Sequence, residues 1–192
     1  MSIPLQHPLV LASGSPRRKE LLANAGFEFD IELLEVDESV PNNIDLKELA
    51  EYLARKKNNA YRHLRPEAII LTADTVVLLN SELLEKPSDR TEAIAMLEKL
   101  SGQTHQVITG VCLRYQEALD SFSVSTEVEF DNLSNDEITY YVDNYKPFDK
   151  AGAYGIQEWI GQIGIKRIDG SYYNVVGLPI RSVYRHLQPY FK

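Results

Sequence analysis

The chain has 192 residues, enough for one sizeable domain or two intimately packed lobes, and it is read as one domain over residues 1–192. Hydrophobic residues make up 44% and charged residues 25%, which excludes global disorder and supports a real core. The formal net charge of −8 excludes a broad basic face, so no nucleic-acid polymer is expected as a partner.

The first predicted element is a short buried strand at Val10-Leu11-Ala12. A small-residue loop, Ser13-Gly14-Ser15, leads to a helix over about 16–25 that ends near Gly26. That helix opens with Arg17, Arg18 and Lys19. Cations at this end oppose the macrodipole, at roughly 0.3–1 kcal/mol each when exposed. An anion at the loop turns the cost into a gain, because outward amides and arginine forks both bind phosphate oxygens. A site for a polyphosphate is therefore expected, a local exception in an acidic chain. Phe27 to Leu34 reads as extended, and Leu46 to Leu64 as a long helix with apolar residues at helical spacing.

Ala68 to Leu79 reads as a buried strand. It is the most apolar segment, but Thr72, Asp74 and Thr75 interrupt it, and it is too short to span a bilayer. Asp89 and Glu92 suggest a capping box for a helix over about 90–100, stopped at Gly102. Strands follow at about 105–115 and 122–130, then a helix capped by Ser134 and Glu137 that runs to about 144. A Gly-rich loop spans 150–157, before a strand at about 163–168, a turn at Asp169-Gly170 and a last helix starting at Pro179. The interleaving without strict βαβ repetition gives an α/β class with a mixed β-sheet flanked by helices. The amino terminus shows no basic start followed by an apolar stretch, so no signal peptide is expected. The single cysteine, Cys112, lies in an apolar strand and reads as core; a chain that cannot form an intramolecular disulfide fits the cytoplasm.

Some residues look chosen for chemistry. Asp74 interrupts two apolar runs, and a carboxylate there needs a cation or hydrogen bonds to offset its desolvation. It reads equally as a bend residue satisfied by local amides or as a site acid. Lys57 falls in the middle of the apolar stripe of its helix, whereas Lys56 points away; Lys57 either snorkels to water or meets an anion. Lys86 lies in Glu85-Lys86-Pro87, where proline stiffens the loop. Asp37-Glu38 reads as an exposed turn or as part of a metal-linked acidic cluster. In the loop Phe148 to Gln157, Gly152 and Gly155 permit close ligand approach, and the amide of Gln157 can pair with the imide or amide edge of a base. Other schemes fit poorly: the four histidines lack zinc-ligand spacing, and neither a Gly-x-Ser-x-Gly elbow nor a P-loop pattern occurs.

Six segments in order resemble the Maf family of nucleoside triphosphate pyrophosphatases. They are Leu11 to Arg18, Leu53 to Lys57, Ala73-Asp74-Thr75, Glu85-Lys86-Pro87, Leu100 to Val107 and Asp149 to Gln157. The resemblance implies an elongated two-lobed fold with a central cleft. It implies hydrolysis of a nucleoside triphosphate to monophosphate and pyrophosphate, with a divalent cation, Mg²⁺ or Mn²⁺. By motif, Asp74 takes the proton acceptor's position. Ser13, Arg17, Arg18, Lys57 and Lys86 take phosphate-handling positions, and Arg17, Thr75 and Gln157 take those linked to substrate choice. Asp74 and Glu38 are the expected metal ligands.

The Ala-Gly-Ala-Tyr-Gly-Ile-Gln form resembles the subgroup acting on dTTP and UTP. Trp159 and Ile160 depart from the family's usual glycine-rich continuation. A nucleotide-binding regulator of septum formation without significant turnover, or a pyrophosphatase for 7-methyl-GTP, are the rival readings. No membrane partner is expected, and exposed edge strands leave room for a homodimer.

Overall fold

The structure, a computed structural model, describes residues 2–41 and 43–192. Seven strands form one mixed sheet in the order β2-β1-β3-β5-β6-β7, with β4 paired to β3. The strands are β1 (Leu9–Leu11), β2 (Asp30–Ile31), β3 (Ile69–Leu79), β4 (Glu82–Leu84), β5 (Thr104–Tyr115), β6 (Ala118–Phe130) and β7 (Ile165–Asp169). The longer helices are α1 (Pro16–Asn24), α2 (Leu49–Asn59), α3 (Arg90–Leu100), α4 (Asn135–Tyr145) and α7 (Ile180–Leu187); α5 (Trp159–Gly164) and α6 (Tyr172–Val176) are short. The chain divides into two compact units. One takes Met1–Asp74, Thr109–Val124 and Gly177–Lys192; the other takes Thr75–Ile108 and Ser125–Val176.

In the first unit β1 runs parallel to both β2 and β3, with Leu9, Val10 and Leu11 opposite Ile69, Ile70 and Leu71. Side chains alternate across the sheet. Leu9, Leu11, Ile69, Leu71 and Ala73 face one core with Leu22 of α1 and Val183 and Leu187 of α7. Val10, Ala12 and Ile70 face the other, with Tyr61. α2 lies so close to β5 that a Cβ on Gly110 would sit 2.2 Å from the main chain of Ala50 and Glu51. Fully buried Asn58 pins the end of α2: its Nδ2 donates to the carbonyls of Ile70 and Cys112, and its Oδ1 accepts from Arg114 Nε at 2.8 Å.

The helix expected over 46–64 is shorter at both ends. Beyond Asn59 the backbone closes three-residue turns, with the amides of Ala60, Tyr61 and Arg62 donating to Lys57, Asn58 and Asn59. Two consecutive asparagines favour such local geometry over continued helix. Leu64 is consequently half exposed rather than core. Only Asp30–Ile31 of the expected extended run 27–34 pairs as a strand.

In the second unit β3 turns back into β4, a hairpin the sequence reading missed. Asn80 and Ser81 both take positive φ, 49° and 67°, and pair Leu79 with Glu82. Two such residues make the mirror-image turn that suits strand twist. Asp89 caps α3 through the Glu92 amide, but the Glu92 carboxylate returns to Ser88 rather than Asp89. The Ser134–Glu137 capping box on α4 is complete. The expected strand at 163–168 begins only at Ile165, because Trp159–Gly164 is helical. Gly161 allows this: a Cβ there would overlap the Ile156 carbonyl oxygen. Gly170 has the positive φ, 132°, of the expected turn, α6 was not expected, and Pro179 caps α7 instead of opening it.

Candidate active site

The loop after β1 is shaped by its serines. Ser15 caps α1 and accepts from the Arg18 amide, and its own amide donates to Ser13 Oγ at 3.3 Å. With no acid in its first turn, α1 presents Arg17, Arg18 and Lys19 together. Arg18 turns back across the loop. Its Nη1 donates to Ser13 Oγ at 3.2 Å and to the Ala73 carbonyl at 2.7 Å, and its Nε donates to the Gly177 carbonyl at 2.9 Å. Arg18 thus ties the loop to the residue before Asp74. Burial lowers the guanidinium pKa, Asp74 opposes that by attraction, Arg17 adds repulsion, and Glu38 attracts.

Asp74 is not satisfied by its own strand. Its Oδ1 accepts from Lys57 Nζ at 2.5 Å, and both side chains are largely covered, at 16% and 18% exposure. Glu38 Oε1 reaches the same ammonium at 3.2 Å. Lys57 therefore meets carboxylates from a strand and from a loop instead of snorkelling. The neighbouring pair diverges: Lys56 Nζ meets Asp37 Oδ2 at 3.1 Å and the Ser39 carbonyl at 2.7 Å. Hydrogen bonds from the Ser39 hydroxyl and amide, then from Lys56, lower the Asp37 carboxyl to about 2.

Five expected site residues, Ser13, Arg18, Glu38, Lys57 and Asp74, therefore form one connected set in the first unit, with Arg17 beside them. Two carboxylates converging on one cation is a donor set that suits a hard divalent ion completed by phosphate oxygens. Among the described residues no group of three or more His, Cys, Asp or Glu side chains is placed to hold a metal by itself.

Thr75, Lys86 and Gln157 belong to the second unit. Thr75 is half-buried on β3, and Lys86 and Gln157 are exposed. The Gly152 amide donates to the Glu85 carbonyl at 3.1 Å, joining the glycine loop to the segment that carries Lys86. Gly152 has φ 71° and packs against Val77, so a side chain there is both strained and crowded. Sequence reasoning missed Glu158, whose carboxylate meets Lys150 Nζ at 3.1 Å and the Tyr141 hydroxyl. It also missed Asn58 and Gly110, which seat the helix carrying Lys57. An acid directly after the glycine loop was the available signal for Glu158.

The Maf-like protein family model matches residues 8–190. The chain belongs to the Maf-like family. It is 50% identical over 185 residues to the dTTP/UTP pyrophosphatase of Bacteroides thetaiotaomicron, covering 95% of this chain and 96% of that one. To the dTTP/UTP pyrophosphatase of Flavobacterium psychrophilum it is 49% identical over 180 residues, 93% and 92% of the two chains. Its fold is that of the Staphylococcus aureus Ham1 protein, with a TM-score of 0.51 at 14% identity over 93% of this chain and 99% of that one. No helix among the described residues is long and apolar enough to cross a membrane.

Proposed function

We propose that this Maf-like chain is a nucleoside triphosphate pyrophosphatase that hydrolyses dTTP and UTP to the monophosphate and pyrophosphate. The observation that carries the reading is Asp74, an acid in an otherwise apolar strand held at 2.5 Å by Lys57, in a chain half-identical over nearly its whole length to a dTTP/UTP pyrophosphatase. Water adds to the α-phosphorus, its proton passes to Asp74, and the α–β bond breaks with its electron pair leaving on pyrophosphate.

Arg17, Lys57 and Lys86 offset the charge that grows on the leaving group. Arg18 holds Ser13 and the Ala73 carbonyl in place while adding its own positive charge. Asp74 and Glu38 would hold a Mg²⁺ or Mn²⁺ ion, which would supply positive charge against phosphate oxygens and lower the pKa of water. Arg17, Thr75 and Gln157 set substrate choice, the neutral amide of Gln157 matching the imide of thymine or uracil.

The test is pyrophosphate release from a panel of dTTP, UTP, CTP, GTP and 7-methyl-GTP, with and without Mg²⁺ or Mn²⁺. Rapid release from dTTP and UTP is expected, and Asp74→Asn abolishes turnover while nucleotide binding stays measurable. Absence of pyrophosphate release across the panel returns the chain to a binding role, and near-normal turnover in Asp74→Asn removes that residue from the chemistry.

A further inference from the structure

Gln157 follows a loop with little regular structure and is itself exposed. A base-reading amide in that position needs a rigid support, because a loose one spends its hydrogen bonds on water. The support is visible one residue later. Glu158 projects its carboxylate inward, where Lys150 Nζ lies 3.1 Å from Oε1 and the Tyr141 hydroxyl donates to Oε2. That hydroxyl in turn accepts from the Gly155 amide at 3.0 Å. Tyr141 is fully buried in α4 and Lys150 is nearly so. Burial, then the hydrogen bond from its hydroxyl to Glu158, raises the Tyr141 pKa, so the hydroxyl stays a donor.

Gly155 completes the arrangement. A Cβ there would lie 2.9 Å from Gln157 Nε2 and 2.9 Å from the Glu158 carboxyl carbon. The Gln157 amide and the Glu158 carboxylate therefore fold over the same bare α-carbon, side by side. Fixing one limits the other, and the three anchors fix Glu158 through a lysine, a tyrosine and, by way of that tyrosine, the loop's own backbone.

We propose that Glu158 and Tyr141 are positioning residues for substrate choice: the Lys150–Glu158–Tyr141 network holds the Gly155–Gln157 backbone so that the Gln157 amide reads the pyrimidine imide. This rests on the assignment of Gln157 as the base-reading residue. Neither side chain touches the reacting atoms, so their loss moves discrimination and KM rather than the chemical step.

The test uses the full-length protein and four variants, Glu158→Ala, Glu158→Gln, Tyr141→Phe and Gln157→Ala, with kcat and KM for dTTP and CTP. In Glu158→Ala and Tyr141→Phe the ratio of kcat/KM for dTTP over CTP is expected to fall about tenfold, mainly through KM for dTTP, as displaced positioning groups do. Glu158→Gln keeps one acceptor oxygen in place of two, so it serves only one of the two donors, and its ratio is expected to fall less than that of Glu158→Ala. If Gln157→Ala flattens the ratio while Glu158→Ala leaves it intact, the positioning network is refuted. If Gln157→Ala itself leaves the ratio intact, the base-reading assignment fails instead, and this proposal falls with it. A Tyr141→Phe protein that does not fold leaves the decision to the Glu158 pair, whose side chain is 20% exposed.

Discussion

Replacing Gly110 by alanine tests how the fold positions the proposed chemistry. Gly110 lies on β5 where α2 crosses it, and the added methyl would stand 2.2 Å from the Ala50 carbonyl carbon and the Glu51 nitrogen. Carbon contacts are comfortable only from about 3.5 Å, so α2 must retreat by roughly 1 Å or more. Both obstructing atoms are main chain and cannot rotate away. Overpacking of this kind costs about 1–3 kcal/mol, and each kcal/mol lowers the melting midpoint by about 2–4 °C in a chain of 150–250 residues. The same retreat carries Lys57, two helical turns beyond Ala50, away from an ion pair now 2.5 Å long. A misplacement near 1 Å costs on the order of a hundredfold in rate. Thermal melts and dTTP turnover of Gly110→Ala are the assay, with Gly14→Ala as the stability control, since its methyl meets nothing closer than Leu33 at 3.8 Å. A Gly110→Ala protein that melts with the wild type and turns over dTTP normally would refute both the tight helix–strand approach and its bearing on Lys57.

His105 is buried, and burial lowers its pKa to about 4 from 6.5. Between those values the unfolded chain takes up a proton that the native chain refuses, so stability is full above pH 6.5 and falls as pH drops towards 4. Urea midpoints measured across that window should show the slope, and His105→Phe should flatten it. Asp37, depressed to about 2 chiefly by Ser39, should titrate by NMR well below ordinary aspartates, and Ser39→Ala should return it towards 3.8. Cys112 is fully covered and its thiol is pushed up to about 12 by burial, so a thiol reagent should label it only when the chain unfolds. Asn58→Leu removes a donor from the Ile70 and Cys112 carbonyls and the acceptor of Arg114 Nε, a loss of about 1–3 kcal/mol for buried groups, read as a lower urea midpoint.

How much of this was legible in the sequence depends on how local each signal is. The apolar run of β3, the caps of α3 and α4 and the start of α1 are written in consecutive residues, and each forms where expected. The hairpin at Asn80-Ser81 was not legible because it lacks the glycine that usually marks the turn; positive φ at two non-glycine residues is imposed by strand pairing. The end of α2 was misjudged because Ala60 and Leu64 continue the apolar spacing after the helix has stopped. Periodicity reports which face a residue would occupy in a helix, not whether the helix persists.

The site shows the same division. Helix phase alone separated Lys57 from Lys56, since it set position 57 in the middle of the apolar stripe and position 56 well away from it. What phase could not supply was the destination of each ammonium, because the partners Glu38 and Asp37 come from a loop whose path no spacing rule describes. That loop sets consecutive acids against consecutive lysines, and the alternation sends one pair to Ser39 on the surface and the other to Asp74 on β3. The loop–helix contact thereby governs the electrostatics around Asp74. On the proposed reading, a phosphate at Lys57 would have to compete with two carboxylates already in contact with its ammonium, so the net charge it meets there is set by the loop as much as by the helix.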